Sequence, residues 1–383
     1  MLGGPEVSHL PKDAEIFKYA GYVIRGEGEI AFRLLCEDIL NNNNYNNSIN
    51  LISQVNLNEI KPAYHLYTDE DISKKLIYVE SGRGCPFNCE FCLSSVKPDK
   101  KNAVREFDLD QFLAQMDMLI KRGARTIKFL DRTFNFNIPR ALKIIDFFLE
   151  KTAALSSFTV HFEMVPSLFP PQLISALACF PPGTLRLETG IQTLNAEVSS
   201  LVKLPGNGHP ENDLETLSLL RRNTNAVIHA DLIAGLPGEN IESFGEGFDR
   251  LWQALYCQPA HKERNSRAEI QPGILKLLPG TRISRHIEKH KMRFNSAPPY
   301  EIEETSSVCA DDLSRIKNFA RFWELIFNRG MIPEEKMVKI SEKSSIFWKF
   351  MELSDSLFSY FGRNWGIDKN ELSVKLNDYK FIL

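Results

Sequence analysis

Cys85, Cys89 and Cys92 fall inside eight positions of a chain that spreads its other four cysteines widely. They stand as Cys-x3-Cys-x2-Cys within Arg83-Gly84-Cys85-Pro86-Phe87-Asn88-Cys89-Glu90-Phe91-Cys92, three thiols close together with no fourth. A structural zinc site takes four ligands, and Cys-x2-Cys pairs normally come twice. His65 and His161 are the candidates for a fourth, and neither stands at a zinc spacing. A 4Fe-4S cluster held by three thiolates suits the count better, because the iron without a protein ligand stays open to bind something else. Gly82 and Gly84 permit sharp turns and close approach in such a loop, and Pro86 stiffens it. Buried or zinc-binding cysteines are the competing reading.

A loop of this kind needs a scaffold, and the chain can supply one: 383 residues, 43% of them hydrophobic, can bury a large core. A net charge of −3 gives no basic field and no case for nucleic acid as the main partner. No secretory signal pattern and no apolar run of ~18 residues is visible, so a cytoplasmic protein without a membrane span is expected. Seven cysteines in such a chain argue for free thiols or ligands over a disulfide framework.

From Lys75 onward, short runs of branched and aromatic residues alternate with helical patterns. The expected strands cover residues 76–79, 126–130, 159–164, 184–187, 227–233 and 270–277. A helix at 108–121 would begin with a capping box of Asp108 and Gln111 and bury Leu109, Phe112, Met116, Leu119 and Ile120. Six strands in right-handed βα units form an open or partial barrel and bring their carboxyl ends to one rim. Glu80, Asp131, Glu163, Glu188 and the stretch 235–239 stand at those ends, with the three cysteines after the first. Before the barrel come a strand at 1–4, another at 22–24, and a helix with the apolar stripe Ile30, Leu34, Leu35 and Ile39. The Asn-rich stretch 41–47 reads as linker. His286 and His290 are assigned to a solvated helix face, and the aromatic-rich stretch after residue 310 to a helical core docked on the barrel.

The cysteine motif, with Phe91 before its last member, resembles the signature of the radical S-adenosylmethionine (SAM) enzymes. The likeness extends through Lys128-Phe129-Leu130-Asp131-Arg132, Leu187-Glu188-Thr189-Gly190-Ile191-Gln192, Asp231-Leu232-Ile233-Ala234-Gly235-Leu236-Pro237-Gly238-Glu239 and Leu275-Lys276-Leu277-Leu278-Pro279-Gly280-Thr281. These resemble strand-end motifs of the branch that carries an N-terminal cobalamin-binding domain. The resemblance implies an α/β fold: a partial (β/α)6 barrel at 75–285, a remnant of a Rossmann-like cobalamin domain at 1–40, a linker at 41–74 and a mainly helical domain at 286–383. It implies a 4Fe-4S cluster on Cys85, Cys89 and Cys92 whose open iron chelates SAM and splits it reductively, giving methionine and a 5'-deoxyadenosyl radical. Phe91 would meet the adenine, Asp131 the amino group, Glu188 and Gln192 the ribose hydroxyls, and Leu236 and Pro237 the adenine face. Arg83 or Arg132 would pair with the SAM carboxylate or with rim acids. No residue is assigned to the chemistry on the unknown substrate, which is methyl transfer or a cobalamin-free hydrogen abstraction. A degenerate iron-sulfur protein without turnover is the alternative. Expected partners are an electron donor such as flavodoxin or ferredoxin and, since only the tail of a cobalamin domain is recognisable, an upstream cobalamin-domain polypeptide; cobalamin binding by this chain is left open.

Overall fold

The computed structural model describes residues 1–41, 50–52, 54–96, 103–155, 157–206, 209–257 and 266–378. Nearly all of the Asn-rich stretch lies outside them. The chain begins with α1 (Pro5–His9), β1 (Ile24–Gly26), α2 (Gly28–Leu40) and β2 (Asn50–Ile52), with β1 and β2 paired in parallel. The expected strand at 1–4 reduces to one bridge between Leu2 and Val23, because Pro5 starts α1 at once. The stripe of α2 also differs from expectation. The helix buries Ala31 and Leu35 against Ile24, sets Ile30 against a separate cluster of Val55, Leu57 and Phe107, and leaves Leu34 and Ile39 44% and 45% exposed. Among the described residues this helix lies against β1 and β2, two strands of three residues each, too small a sheet to cover its whole apolar face. Next comes α3 (Asp69–Lys74), opened by a capping box between Thr68 and Asp71.

The barrel then runs β3 (Ile77–Val79), β4 (Gly82–Gly84), β5 (Val104–Glu106), α4 (Leu109–Lys121), β6 (Thr126–Phe129), α5 (Ile138–Ala154), β7 (Thr159–Met164), α6 (Pro171–Leu177) and β8 (Leu185–Gln192). It continues with α7 (Ala196–Leu201), α8 (Pro210–Asn223), β9 (Val227–Ala234), α9 (Ile241–Tyr256) and β10 (Arg267–Ile274). Six strands form one parallel sheet in the order β3-β6-β7-β8-β9-β10. Among the described residues no ladder joins β10 back to β3, so the barrel is partial. Asp108 caps α4 by accepting from the Gln111 N–H at 2.9 Å. The fourth strand runs past the expected end to Gln192. The sixth starts and stops earlier than expected, because Lys276 leaves the sheet to bridge Glu301.

Period-two alternation gives this sheet two chemistries. One face carries Ile127, Phe129, Val160, Phe162, Leu185, Leu187, Ile228, Ala230 and Ile270, all at most 1% exposed in the main core. The other carries Lys128, His161, Glu163, Glu188, His229 and Asp231. Burying each large apolar side chain of the first face contributes about 1.5–3 kcal/mol, and that layer fixes where the polar face points.

Beyond the sheet lie the hairpin β11 (Arg293–Phe294) and β12 (Ile302–Glu304), then α10 (Ala310–Trp323), a π-helical turn (Glu324–Asn328), α11 (Glu334–Ser341), α12 (Ile346–Phe361) and α13 (Lys369–Asp378). The aromatic stretch docks on α9 as core. The Phe319 ring lies 5.1 Å from Phe248, 4.9 Å from Phe347 and 5.3 Å from Phe350, centroid to centroid. Gly245 admits this packing, since a Cβ there would come within 2.5 Å of the Phe347 ring. Tyr360 and Trp365, at the far end, are exposed. No helix of the described residues is long and apolar enough to cross a membrane.

Candidate active site

The cysteine loop leaves the carboxyl end of β3 and returns through a clasp, in which β4 pairs antiparallel with β5 and Gly84 faces Val104. Gly84 sits at φ 97°, and a Cβ there would lie 2.0 Å from the Ala103 carbonyl oxygen, so glycine is required. All three cysteines are half-buried. Cys85 Sγ lies 3.3 Å from Thr133 Oγ1 on the neighbouring strand end. The Cys92 N–H donates to the Cys89 carbonyl at 3.2 Å, and the Ser95 N–H to the Cys92 carbonyl at 3.1 Å, which makes tight turns of that part of the loop. Among the described residues no three His, Cys, Asp or Glu side chains are drawn together tightly enough to hold a metal ion. The donor set still fits an iron-sulfur cluster. Three soft thiols share one rim loop, and the one carboxylate between Cys85 and Cys92, Glu90, is taken up by Lys203, Arg285 and His286.

The other expected site residues divide. Glu188 lies on the inner face, where its carboxylate accepts from Lys128 Nζ at 2.8 Å and lies 3.2 Å from His161 Nε2. These partners hold its pKa down, to about 2, against the opposing effect of burial. Gln192 has φ 67° at a register shift between β8 and β9, and its side chain folds over Gly190, where any Cβ would meet Nε2 at 2.2 Å. Glu188, Gly190 and Gln192 thus share the less buried face of β8. Phe91 is half-buried against the main core. Asp131 stands at the rim, against the end of β3. Its carboxylate accepts from the Ser81 N–H at 2.9 Å and the Ser81 hydroxyl at 2.6 Å, tying the ends of β3 and β6 together. It lines a small cavity with Ser81, Asn137 and Arg140, whereas Leu130 and Arg132 line a cavity of about 690 Å³ with Glu80 and Arg83. Burial raises the Asp131 pKa to about 6. Leu236 is fully buried and belongs to the main core, and Pro237 beside it is also buried.

Arg83 joins the rim to the N-terminal segment, pairing with Glu29 at 2.6 Å and Glu80 at 2.9 Å. Glu27, at the start of α2, accepts from the Val55 N–H at 2.9 Å and pairs with Arg105. The acids of Gly26-Glu27-Gly28-Glu29 are thus ties to the barrel. His286 is corrected as well: it is not on a solvated face, because Nε2 lies 2.7 Å from the Glu90 carboxylate and the side chain is 12% exposed.

The inner face also holds His229, which the sequence reading passed over, beside His161 and acids it had named without joining them. His161 and His229 stack at 5.6 Å, and His229 Nδ1 lies 3.2 Å from Glu269 and 2.8 Å from Gln271. Burial, reinforced by Glu188 and Glu163, pushes the Asp231 pKa up to about 8. Burial likewise raises Glu163 to about 7 and Glu239 to about 7. The signal was present as polar residues at every second position of apolar strands. Such a floor can hold a polar substrate and keep buried carboxyls protonated near neutrality.

Residues 79–251 match the model of the radical SAM superfamily. The chain carries a radical SAM domain. Among curated proteins, the chain is 28% identical over 164 residues to an uncharacterized methyltransferase of Pyrococcus horikoshii, covering 38% of this chain and 35% of that one. It is 24% identical over 204 residues to a ribosomal protein uS12 methylthiotransferase of Nitratiruptor, covering 51% of this chain and 46% of that one. The matched part is thus less than half of either relative's length. Among solved structures, the cobalamin-dependent S-adenosylmethionine radical enzyme OxsB with aqua-cobalamin bound aligns at a TM-score of 0.60 and 17% identity, covering 98% of this chain and 61% of that one. That likeness extends the shared fold beyond the radical SAM domain to the flanking segments.

Proposed function

We propose that this chain is a radical SAM enzyme in which Cys85, Cys89 and Cys92 hold the cluster and the inner face of the partial barrel holds the substrate. The observation that carries the proposal is the three-thiol loop, clasped by β4 and β5 at the carboxyl end of the first strand of a radical SAM sheet. A 4Fe-4S cluster bound there supplies one electron to break a carbon–sulfur bond of SAM. Glu188 and Gln192 orient the ribose, Phe91 and the 236–237 turn border the adenine, and Asp131 acts on the SAM amino end by holding the strand tip through Ser81. Lys128 and His161 keep Glu188 ionised, so it accepts from hydroxyls. A small acidic protein such as flavodoxin or ferredoxin is the proposed electron donor. The follow-on reaction we favour is methyl transfer, for which the support is the naming of the Pyrococcus relative; the Nitratiruptor relative is named for methylthio transfer, which also inserts sulfur. Anaerobic reconstitution with iron and sulfide tests the core of the proposal. The parent is expected to take up one 4Fe-4S cluster and, with dithionite, to convert SAM to 5'-deoxyadenosine and methionine. Cys85→Ala, Cys89→Ala and Cys92→Ala should each abolish both. Stoichiometric zinc with no iron absorbance in the parent would overturn it. Product analysis with and without hydroxocobalamin decides the methyl-transfer arm.

A further inference from the structure

We infer that Glu90, a non-ligand residue inside the cysteine loop, is the positioning residue that sets the Cys89 and Cys92 thiols, and that through it the cluster's fit depends on residues 283–286, which follow the last strand of the sheet. The inference rests on the reading that these thiols hold a cluster. Glu90 is 1% exposed, and an unpaired carboxylate at that depth would be costly. Its side chain accepts from Lys203 Nζ at 2.9 Å and from Arg285 Nε at 3.2 Å, and lies 2.7 Å from His286 Nε2. Its N–H donates to the Val202 carbonyl at 3.0 Å, and its carbonyl accepts from the Ile283 N–H at 2.8 Å. Both backbone polar groups and the carboxylate of this one residue are therefore held by segments outside the loop, one following α7 and one following β10. The bonds from the Cys92 N–H to the Cys89 carbonyl and from the Ser95 N–H to the Cys92 carbonyl are local turns, which shape the loop without placing it. Glu90 lies between Cys89 and Cys92, so fixing its backbone fixes the start of both thiol side chains. Removing its charge leaves Lys203, Arg285 and His286 facing one another with no anion between them.

The test uses the full chain, reconstituted anaerobically with iron and sulfide. Glu90→Gln and, from the other side of the contact, the double variant Arg285→Met/His286→Gln are compared with the parent. Two readouts are the rate at which an added iron chelator strips the cluster and the electron paramagnetic resonance spectrum after dithionite reduction. Both variants are expected to keep the parent's circular dichroism, lose iron about tenfold faster or more, and give a shifted or broadened signal. If Glu90→Gln does not fold, the double variant decides by the same readouts. Variants that melt earlier but match the parent in chelation rate and spectrum would reduce Glu90 to a structural residue and overturn the proposal. A parent that takes up no cluster would instead overturn the functional reading beneath it.

Discussion

Glu188 shows how one carboxylate serves the fold and the site together. It forms the ion pair with Lys128 and stands in reach of the stacked histidines, so its removal leaves an amine half-buried without its counter-ion. Glu188→Ala should weaken SAM binding about ten- to a hundredfold, the loss of one charge-assisted hydrogen-bonded contact, while leaving iron content unchanged. Equilibrium dialysis of the reconstituted variant measures this, and parental affinity would place the ribose elsewhere. Asp231 makes the opposite prediction. Its folded pKa of about 8 lies above that of an ordinary aspartate, so between about pH 4 and 8 the folded state keeps a proton that the unfolded chain has released. Stability should therefore fall as pH rises through that window. Glu163, raised to about 7, adds to the same slope. Asp231→Asn should melt higher than the parent at pH 8.5 and close to it at pH 4; thermal scans that show the same difference between variant and parent at both pH values would mean that burial does not raise the Asp231 pKa.

Among the elements, the clasp of β4 and β5 is short, three residues on each side, and depends on backbone geometry more than on side chains. Gly84→Ala combines a left-handed φ with a collision against the Ala103 carbonyl. The sheet does not pass through this clasp. The variant should retain the parent's far-ultraviolet circular dichroism and sheet protection in hydrogen exchange while holding only a small fraction of the parent's iron. Full iron loading of Gly84→Ala would show that the clasp is dispensable. The helices were readable where their signals are local. Asp108 caps α4 because a short polar acceptor precedes an apolar stripe. The stripe of α2 misled because exposure of Leu34 and Ile39 is decided by how little of the sheet lies beneath them.

For the molecule as a whole, the N-terminal segment is the part held most by charge. Its core is Ile24, Ala31 and Leu35, and its ties to the barrel include Glu27 with Arg105 and Glu29 with Arg83. Partly exposed pairs are screened by salt, whereas the apolar layer under the central sheet is not. Hydrogen exchange of residues 1–40 should quicken from low to high salt while β6 to β9 stay protected, and equal response of both regions would contradict this division. The same contrast explains what could be read in advance. Cys85, Cys89 and Cys92, the proposed ligand set, could be singled out because three thiols within one loop are written as spacing. The βα alternation was legible because its period is local. Glu90 with His286, and Asp131 with Ser81, were not, because each pairing joins residues far apart in the chain and no local pattern marks either partner. The inner face was half legible, its polar residues visible but their common floor apparent only once the strands were ordered.

The two faces of the sheet also carry separate histories. Each of β6 to β9 spells two messages in alternating letters, an apolar one read by the helices and a polar one read by whatever enters the barrel. Replacing Glu163, His229 or Asp231 rewrites the second message and leaves the first intact, so, if the polar face takes the substrate as proposed, a lineage could exchange one substrate for another by point substitution while the scaffold stays constant. A deletion of one residue inside a strand has no such freedom, for it would turn Phe162 or Leu187 toward the substrate and a charge toward the core. Drift at this site should accordingly accumulate as substitutions at every second position, with strand length held fixed.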